Sequence, residues 1–291
     1  MTRLGNVGVW LGSLGYASIG EQLHAACELE ELGYGALWVG EAPLGREALS
    51  HSAIVLGATE RVVVATGVAS IWAREPYAAA RGAATLHEAY LDRFVLGLGV
   101  SHRRLLDQAG QHYARPLTAM REYLRAMDEL VPWVPSAVER PPRVLGALAP
   151  RMIELARDAA DGVHSYLVTP EHTRRARAVL GPDRLLAPEL GFVLETDPAE
   201  ARRLARRHLE FYVATENYLA SWRRLGFEEE DFAAGGSDRL VDALVAWGDE
   251  EVVVARVREH LDAGADHVAV QAVGGDPMSD YRRLASALGH Y

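Results

Sequence analysis

The chain has 291 residues, 49% of them apolar, and its 30 Lys and Arg against 40 Asp and Glu give a net charge of −10. That length suffices for one sizeable core or two modest ones, and an acidic balance argues against a nucleic-acid footprint, which would be basic. The lone Cys27 excludes an intramolecular disulfide and fits a reducing compartment, while the lack of a long apolar run or an extended signal region excludes a membrane span and makes a cytoplasmic location the expectation.

Val7–Leu11 reads as the first strand, with Gly12, Ser13 and Gly15 as loop. Ser18 and Glu21 have capping-box spacing, and the helix that they start stops at Gly33. Ala36–Val39 is the second strand, ending at Gly40 and Glu41, and Pro43 and Gly45 lead to a helix near Arg46–Leu56. Val62–Val64 is β-branched and suits a strand buried on both faces. Pro76 opens a helix to about Tyr90, and Phe94–Leu98 is the fourth strand. Strand, helix and strand in that order lie parallel, so the loops Thr66–Ser70 and Gly99–His102 share one edge. Pro116–Val131 is helical, and Pro132, Pro135, Pro141 and Pro142 mark a linker.

Val144–Leu145, Val163–Leu167, Leu190–Leu194 and His267–Gln271 complete the strand set. Between them fall helices from Pro150 and from Pro170, an Arg-rich helical stretch Pro198–Arg224, an excursion Phe227–Gly236, and helices at Ser237–Trp247 and Glu250–Ala263. Tyr281–Leu288 is a closing helix. Eight strands alternating with helices predict an α/β fold, a (β/α)8 TIM barrel with short insertions, as one domain over residues 1–291. A doubly wound open sheet is the rival, disfavoured by the strand count and by the absence of GxGxxG after the first strand.

In such barrels the chemistry sits at the C-terminal ends of the strands. Those ends are Trp10–Ser13, Gly40–Glu41, Gly67–Ser70, Val100–His102, Gly146–Ala149, Ser165–Tyr166 and Gln271–Gly274. They hold no carboxylate pair for glycoside hydrolysis, no metal-spaced cluster and no GxSxG elbow. A site this poor in its own acid–base groups implies that a bound cofactor supplies the chemistry. Pro150 starts a helix after a small-residue loop, where free N–H groups and Arg151 suit a phosphate or carboxylate. His51, His87, His208 and His260 read as surface or satisfied histidines, and the Arg clusters 202–207 and 223–224 as solvated helix faces.

The segments ELGYGALWVGE (31–41), TGVASIWAREP (66–76), DRFVLGLGVSH (92–102), VLGALAPRMIELARDAADGVHSYLVTP (144–170) and AGADHVAVQ (263–271) together resemble the bacterial luciferase-like oxidoreductases. The resemblance is to the branch that uses the deazaflavin coenzyme F420, with flavin mononucleotide as the alternative. It implies a barrel, commonly a homodimer, acting on a small-molecule substrate. It further implies a ring carried by a bulged third-strand end, here Gly67, Val68 and Ala69, often with a cis peptide at the bond matching Gly67–Val68. Val100, Ser101 and His102 match the loop that meets the cofactor, and Gly146, Ala147, Leu148 and Arg151 the region that receives its phosphate-bearing tail. Trp10, His164 and Tyr166 are expected to face the substrate. Glu41 matches an acidic strand-end residue, but Ala42 stands where the family often has a proton-transferring His. Glu41 and His102 are therefore the expected catalytic pair, with His164 as the next proton carrier. An F420-dependent hydride exchange is the leading expectation, ahead of a flavin monooxygenase and a non-catalytic cofactor-binding protein.

Overall fold

The computed structural model describes residues 4–43, 45–111, 113–129 and 140–289. Its strands are β1 (Val7–Trp10), β2 (Ala36–Val39), β3 (Val63–Thr66), β4 (Ala69–Ser70), β5 (Phe94–Gly99), β6 (Arg143–Gly146), β7 (Gly162–Ser165), β8 (Leu185–Val193), β9 (Val245–Trp247) and β10 (Val268–Ala272). Eight of them close a parallel barrel in the order β10–β1–β2–β3–β5–β6–β7–β8, with β8 pairing back to β10. β4 resumes the line of β3 after a break and pairs with β5, and β9 adds to the end of β8. Among the described residues no helix is long and apolar enough to cross a membrane.

The helices are α1 (Ile19–Glu31), α2 (Ala48–Ala58), α3 (Pro76–Ala89), α4 (Arg103–Gln108), α5 (Pro116–Asp128), α6 (Pro150–Ala159), α7 (Pro170–Leu180), α8 (Pro198–Leu209), α9 (Glu216–Arg224), α10 (Asp238–Leu244), α11 (Glu250–Asp262) and α12 (Pro277–Leu288). The Ser18–Glu21 capping box opens α1. Pro occupies the first turn of α3, α5, α6, α7, α8 and α12, where its missing N–H costs no hydrogen bond.

Strand alternation sorts the interior into two layers. Leu37, Leu96, Leu98, Leu145, Leu186 and Val270 pack outward against the helices. Trp38, Val63, Ala65, Val95, Val144, Ala187 and Ala269 fill the lumen. A Cβ at Gly8 would stand 2.5 Å from the Ala36 carbonyl oxygen and 2.7 Å from the His267 ring, so a glycine there admits the large lumen side chains. A third cluster, including Leu209, Trp222, Phe232 and Leu240, lies in the excursion between β8 and β9.

Three readings of the chain are corrected. The seventh barrel strand starts at Leu185 rather than Leu190. Pro188 and Glu189 interrupt its apolar run, yet all nine of its residues are buried. The stretch 198–224 is two helices, broken by a 3₁₀ turn at Tyr212–Ala214. The Thr215 hydroxyl bonds back to the Phe211 carbonyl at 2.8 Å there, and Thr215 itself is extended. Ser237–Trp247 is helical only to Leu244, because β-branched Val245 turns to pair with Gly191. The short helix α4 was not foreseen. Residues 130 and 131 of the expected Pro116–Val131 helix, and linker residues Pro132 and Pro135, lie outside the described residues.

Candidate active site

The C-terminal barrel edge surrounds a cavity of about 530 Å³, within the ~300–1,000 Å³ usual for a small-molecule site. Trp10, Glu41, Gly67, Val68, Val100, Ser101, His102, Gly146, Ala147, Leu148, His164 and Tyr166 all line it. Two expected contributors do not. Ala69 is fully buried and packs in the helix-facing layer, since Val68 and Ser70 take the cavity-facing positions of the strand line. Arg151 is exposed on α6, whose buried stripe runs through Met152, Ile153, Leu155 and Ala156 and leaves Arg151 off the cavity side.

The platform at the end of β3 is built by glycines. The Gly67–Val68 peptide is cis, and the Gly67 carbonyl accepts a hydrogen bond from Trp10 Nε1 at 3.0 Å. Thr66 Oγ1 donates to the Gly97 carbonyl at 2.6 Å and accepts from the Gly97 N–H at 2.8 Å, which ties β3 to β5. The Val68 side chain lies across two glycines. A Cβ at Gly99 would stand 2.2 Å from Val68 Cγ2, and one at Gly146 would stand 3.3 Å from it. Beyond β5 the chain turns through Ser101 at a left-handed φ of 55° into His102 and α4. Leu167 makes the matching left-handed turn after β7, at a φ of 53°. Both conformations are uncommon for residues other than glycine; Ser101 lines the cavity, and Leu167 is buried directly after the lining residue Tyr166.

Glu41 is fully engaged. Its carboxylate accepts from Ala48 N at 3.0 Å, from Ser70 N at 2.6 Å and from both terminal nitrogens of Arg74. The Glu41 and Arg74 side chains are 6% and 8% exposed. Arg74 also reaches Glu47 at 2.7 Å. The arrangement pins the end of β2, the start of α2 and β4 together, and every lone pair of Glu41 is committed.

His102 is half-buried, and its Nδ1 lies 3.3 Å from Asn217 Oδ1, with the rings of Tyr218 and Phe211 centred 5.4 and 6.0 Å away. Burial lowers its pKa below the ordinary histidine value, opposed by the Asn217 hydrogen bond, so the ring is neutral at pH 7. With Nδ1–H donating to Asn217, Nε2 is left as a free acceptor. His164 is buried, donates from Nδ1 to the Ala187 carbonyl at 2.8 Å, and stacks on Trp38 with ring centroids 4.2 Å apart. Tyr166 donates to Gln271 Oε1 at 2.7 Å and continues an aromatic run from Trp10 to Tyr212 and Tyr218.

Phe211, Tyr212, Asn217, Tyr218 and Arg224 complete the far wall. None of them was picked from the sequence, although Phe211 and Tyr212 inside an Arg-rich helical stretch were a usable signal. His51 also lines the cavity and bonds Gln22 at 2.6 Å, so of the two readings, surface or satisfied, it is a buried, hydrogen-bonded histidine. His260 and His87 are buried as well. Arg202 and Arg206 pair with Asp238 and Asp242 across α8 and α10 as an inter-helix brace, while Arg203 and Arg207 stay on the exposed face. The two arginines on the cavity wall, Arg46 and Arg224, bond only to backbone carbonyls: Arg46 to those of Gly15 and Ala17, Arg224 to that of Leu148 at 3.3 Å. Arg224 therefore stands at the loop that leads to the start of α6, where Ala149 provides no side-chain cap.

The sequence profile of the luciferase-like monooxygenases matches residues 4–267. The chain belongs to that family. Among the family's relatives, it is 24% identical to a 5,10-methylenetetrahydromethanopterin reductase of Methanolobus tindarius, over 91% of this chain and 93% of that one. Its fold matches the coenzyme F420-dependent tetrahydromethanopterin reductase of Methanopyrus kandleri with a TM-score of 0.78 at 18% identity, covering 96% and 97% of the two chains. It also matches the oxygenating component of 3,6-diketocamphane monooxygenase of Pseudomonas putida, in complex with FMN, with a TM-score of 0.67 at 17% identity over 96% and 95%. These likenesses agree with the eight-stranded barrel.

Proposed function

We propose that the protein is an F420-dependent oxidoreductase that exchanges a hydride with a small organic substrate held against the excursion wall. The observation that carries this reading is the pairing of a flat glycine-walled platform with a cationic rim. Gly67, Val68, Gly99 and Gly146 offer a surface free of projecting polar groups. Arg224, Arg46 and the uncapped N-terminus of α6 offer positive charge without a carboxylate partner. That donor set fits a planar ring with a polyanionic tail. The deazaflavin, when bound, supplies the two-electron acceptor or donor.

The chain's own residues bind, orient and handle the proton. Gly67 and Val68 set the plane of the ring. Glu41 acts as a positioning residue through its bonds to Ser70 and Ala48 rather than as a proton carrier. His102 Nε2 takes the proton that a substrate O–H or N–H gives up as hydride leaves the adjacent carbon, and returns it in the reverse direction. Trp10, Tyr166, Tyr212 and Tyr218 exclude water from that exchange. In the direction that deprotonates substrate, turnover rises with pH through the His102 pKa, below 6.5, and is flat above it.

A parallel titration of the protein with F420 and with FMN, read by fluorescence, tests the reading. Tighter F420 binding is expected. Equal or reversed affinity, with oxygen uptake on the reduced flavin, would instead support the monooxygenase reading that the FMN-bound neighbour favours. Binding of F420 without turnover over a broad substrate panel would support a non-catalytic carrier. We also propose a homodimer, for which the exposed Ile54 of α2 and Tyr77 of α3 are the apolar contacts offered; sedimentation equilibrium reads it directly.

A further inference from the structure

Two buried histidines in the lumen have the same tautomer and opposite fates. His267 donates from Nδ1 to the Gly5 carbonyl at 2.8 Å, and its Nε2 accepts from Trp38 Nε1 at 3.0 Å. Both of its ring nitrogens are satisfied. His164 donates from Nδ1 to the Ala187 carbonyl at 2.8 Å, which leaves Nε2 as a lone pair, and that atom has no partner. The His164 side chain is 3% exposed, and the residue lines the cavity. Trp38, held by His267, stacks on the imidazole at 12° between planes and fixes its direction. A Cβ at position 67 would stand 3.2 Å from Nε2, so Gly67 keeps a side chain off that atom, which is itself buried.

A buried acceptor without a partner is costly and rare. We infer that His164 Nε2 is a binding subsite that accepts a hydrogen bond from an N–H or O–H group of the bound ligand, and so selects donor-bearing over donor-lacking ligands of the same shape. Burial holds the ring neutral, with its pKa pushed down to about 4, so the subsite accepts and does not donate at pH 7. The donor belongs either to the cofactor ring or to the substrate. The inference rests on the proposed F420-dependent reading for the first source and stands without it for the second.

The test uses protein labelled with ¹⁵N-histidine, titrated with F420, with phenol, and with toluene as the donor-lacking match to phenol. His164→Phe, which keeps an aromatic ring against Trp38, assigns the Nε2 resonance by its disappearance. A movement of that resonance to lower frequency with F420 alone places the donor on the cofactor. A movement that appears only when phenol is added to F420-loaded protein, and not with toluene, places it on the substrate. His164→Phe should weaken the donor-bearing ligand by about 5- to 100-fold, the range for a buried group left unpaired, and leave toluene within about two-fold. A resonance unmoved by F420 and by phenol at saturation overturns the inference. So does an equal loss of phenol and toluene affinity in the variant. If F420 does not bind at all, the F420 reading fails, while the phenol and toluene pair on the free protein still decides the subsite.

Discussion

The two walls of the cavity are built on different physics. On one side Glu41, Ser70, Arg74 and Glu47 tie β2, β4 and α2 together through charge-assisted bonds, with the central pair almost wholly buried. On the other side Phe211, Tyr212 and Tyr218 project from an excursion that carries its own apolar cluster around Trp222 and Leu240. Directional bonds fix a position and tolerate no change. Apolar packing around a separate core lets the exposed ring faces vary while the barrel stays intact. The first wall therefore suits the cofactor platform, and the second suits choice of substrate.

Glu41→Ala is the sharpest way to break this comparison. It leaves Arg74 buried with the half-exposed Glu47 as its remaining carboxylate partner, beside the Ser70 carbonyl, which should cost about 3–5 kcal/mol in urea unfolding. Phe211→Ala, on the other wall, should cost about 1 kcal/mol or less, because Phe211 is only partly buried. Similar losses for the two variants would show that the walls do not differ in kind.

His102 joins the walls, since it follows β5 and bonds to Asn217 of the excursion. His102→Gln keeps size and a polar tip but removes titration. Turnover of the saturated enzyme should fall by roughly 100-fold, with cofactor affinity nearly constant, and the rising limb of the pH profile below 6.5 should vanish. A fall in affinity with turnover preserved would make His102 a pocket residue only.

The cationic rim gives a smaller effect that distinguishes two arginines. Arg224→Ala should weaken F420 by about 1.5–3 kcal/mol, the range for hydrogen bonds to a charged group, and the loss should shrink as salt rises. Arg151→Ala should leave affinity unchanged, as Arg151 is exposed and off the cavity. The opposite ranking in a calorimetric titration would return the tail to the outer face of α6.

Sequence reading reached the first wall more readily than the second, for a physical reason. The barrel strands are short, β-branched runs that end in Gly, so Gly67–Ser70 and Gly99–His102 were legible as loops on one edge. Their side chains could be placed only to within strand alternation, which is why Ala69 was included with Val68. Arg151 was misjudged in direction by the same limit on a helix, since the stripe of Met152 and Ile153 decides which face is inward. The second wall depends on long-range packing. The stretch 198–224 has a helical pattern throughout, and neither its break at the extended Thr215 nor the place of Phe211 and Tyr212 on the cavity wall is written in that pattern. Glu189 was not legible as a site at all, because an acid within a strand gives no sign in sequence of the lumen that it enters.

Glu189 links the barrel to the excursion wall and gives the last prediction. It is fully buried, accepts from Leu167 N at 3.0 Å, and its other oxygen is unpartnered; the Leu167 carbonyl in turn accepts from Trp222 Nε1 at 3.1 Å. Burial pushes its pKa up to about 8, so the folded protein keeps a proton that the unfolded chain loses near the ordinary value of 4.5. Between those limits the folded state binds more protons, and stability must fall as pH rises, by up to about 1.4 kcal/mol per pH unit. The buried histidines act in the opposite direction. His164, His208 and His267 are held down to about 4 and His260 to about 3, so their contribution rises as the unfolded chain loses those protons around 6.5, is complete about one pH unit above that, and is lost as pH falls. Asp280, raised to about 6, has finished titrating by then. Glu189 therefore gives the main falling contribution only above about pH 7.5, and between 6.5 and about 7.5 the rising contribution of the histidines opposes it. Gln at this position still accepts from Leu167 and carries no proton to lose. The difference in urea-unfolding stability between Glu189→Gln and wild type cancels the histidines and should grow in the variant's favour from pH 6.5 toward pH 8. Parallel pH profiles in the two proteins would mean that Glu189 is already ionised in the fold, and that the anchor beneath the excursion wall is a buried charge.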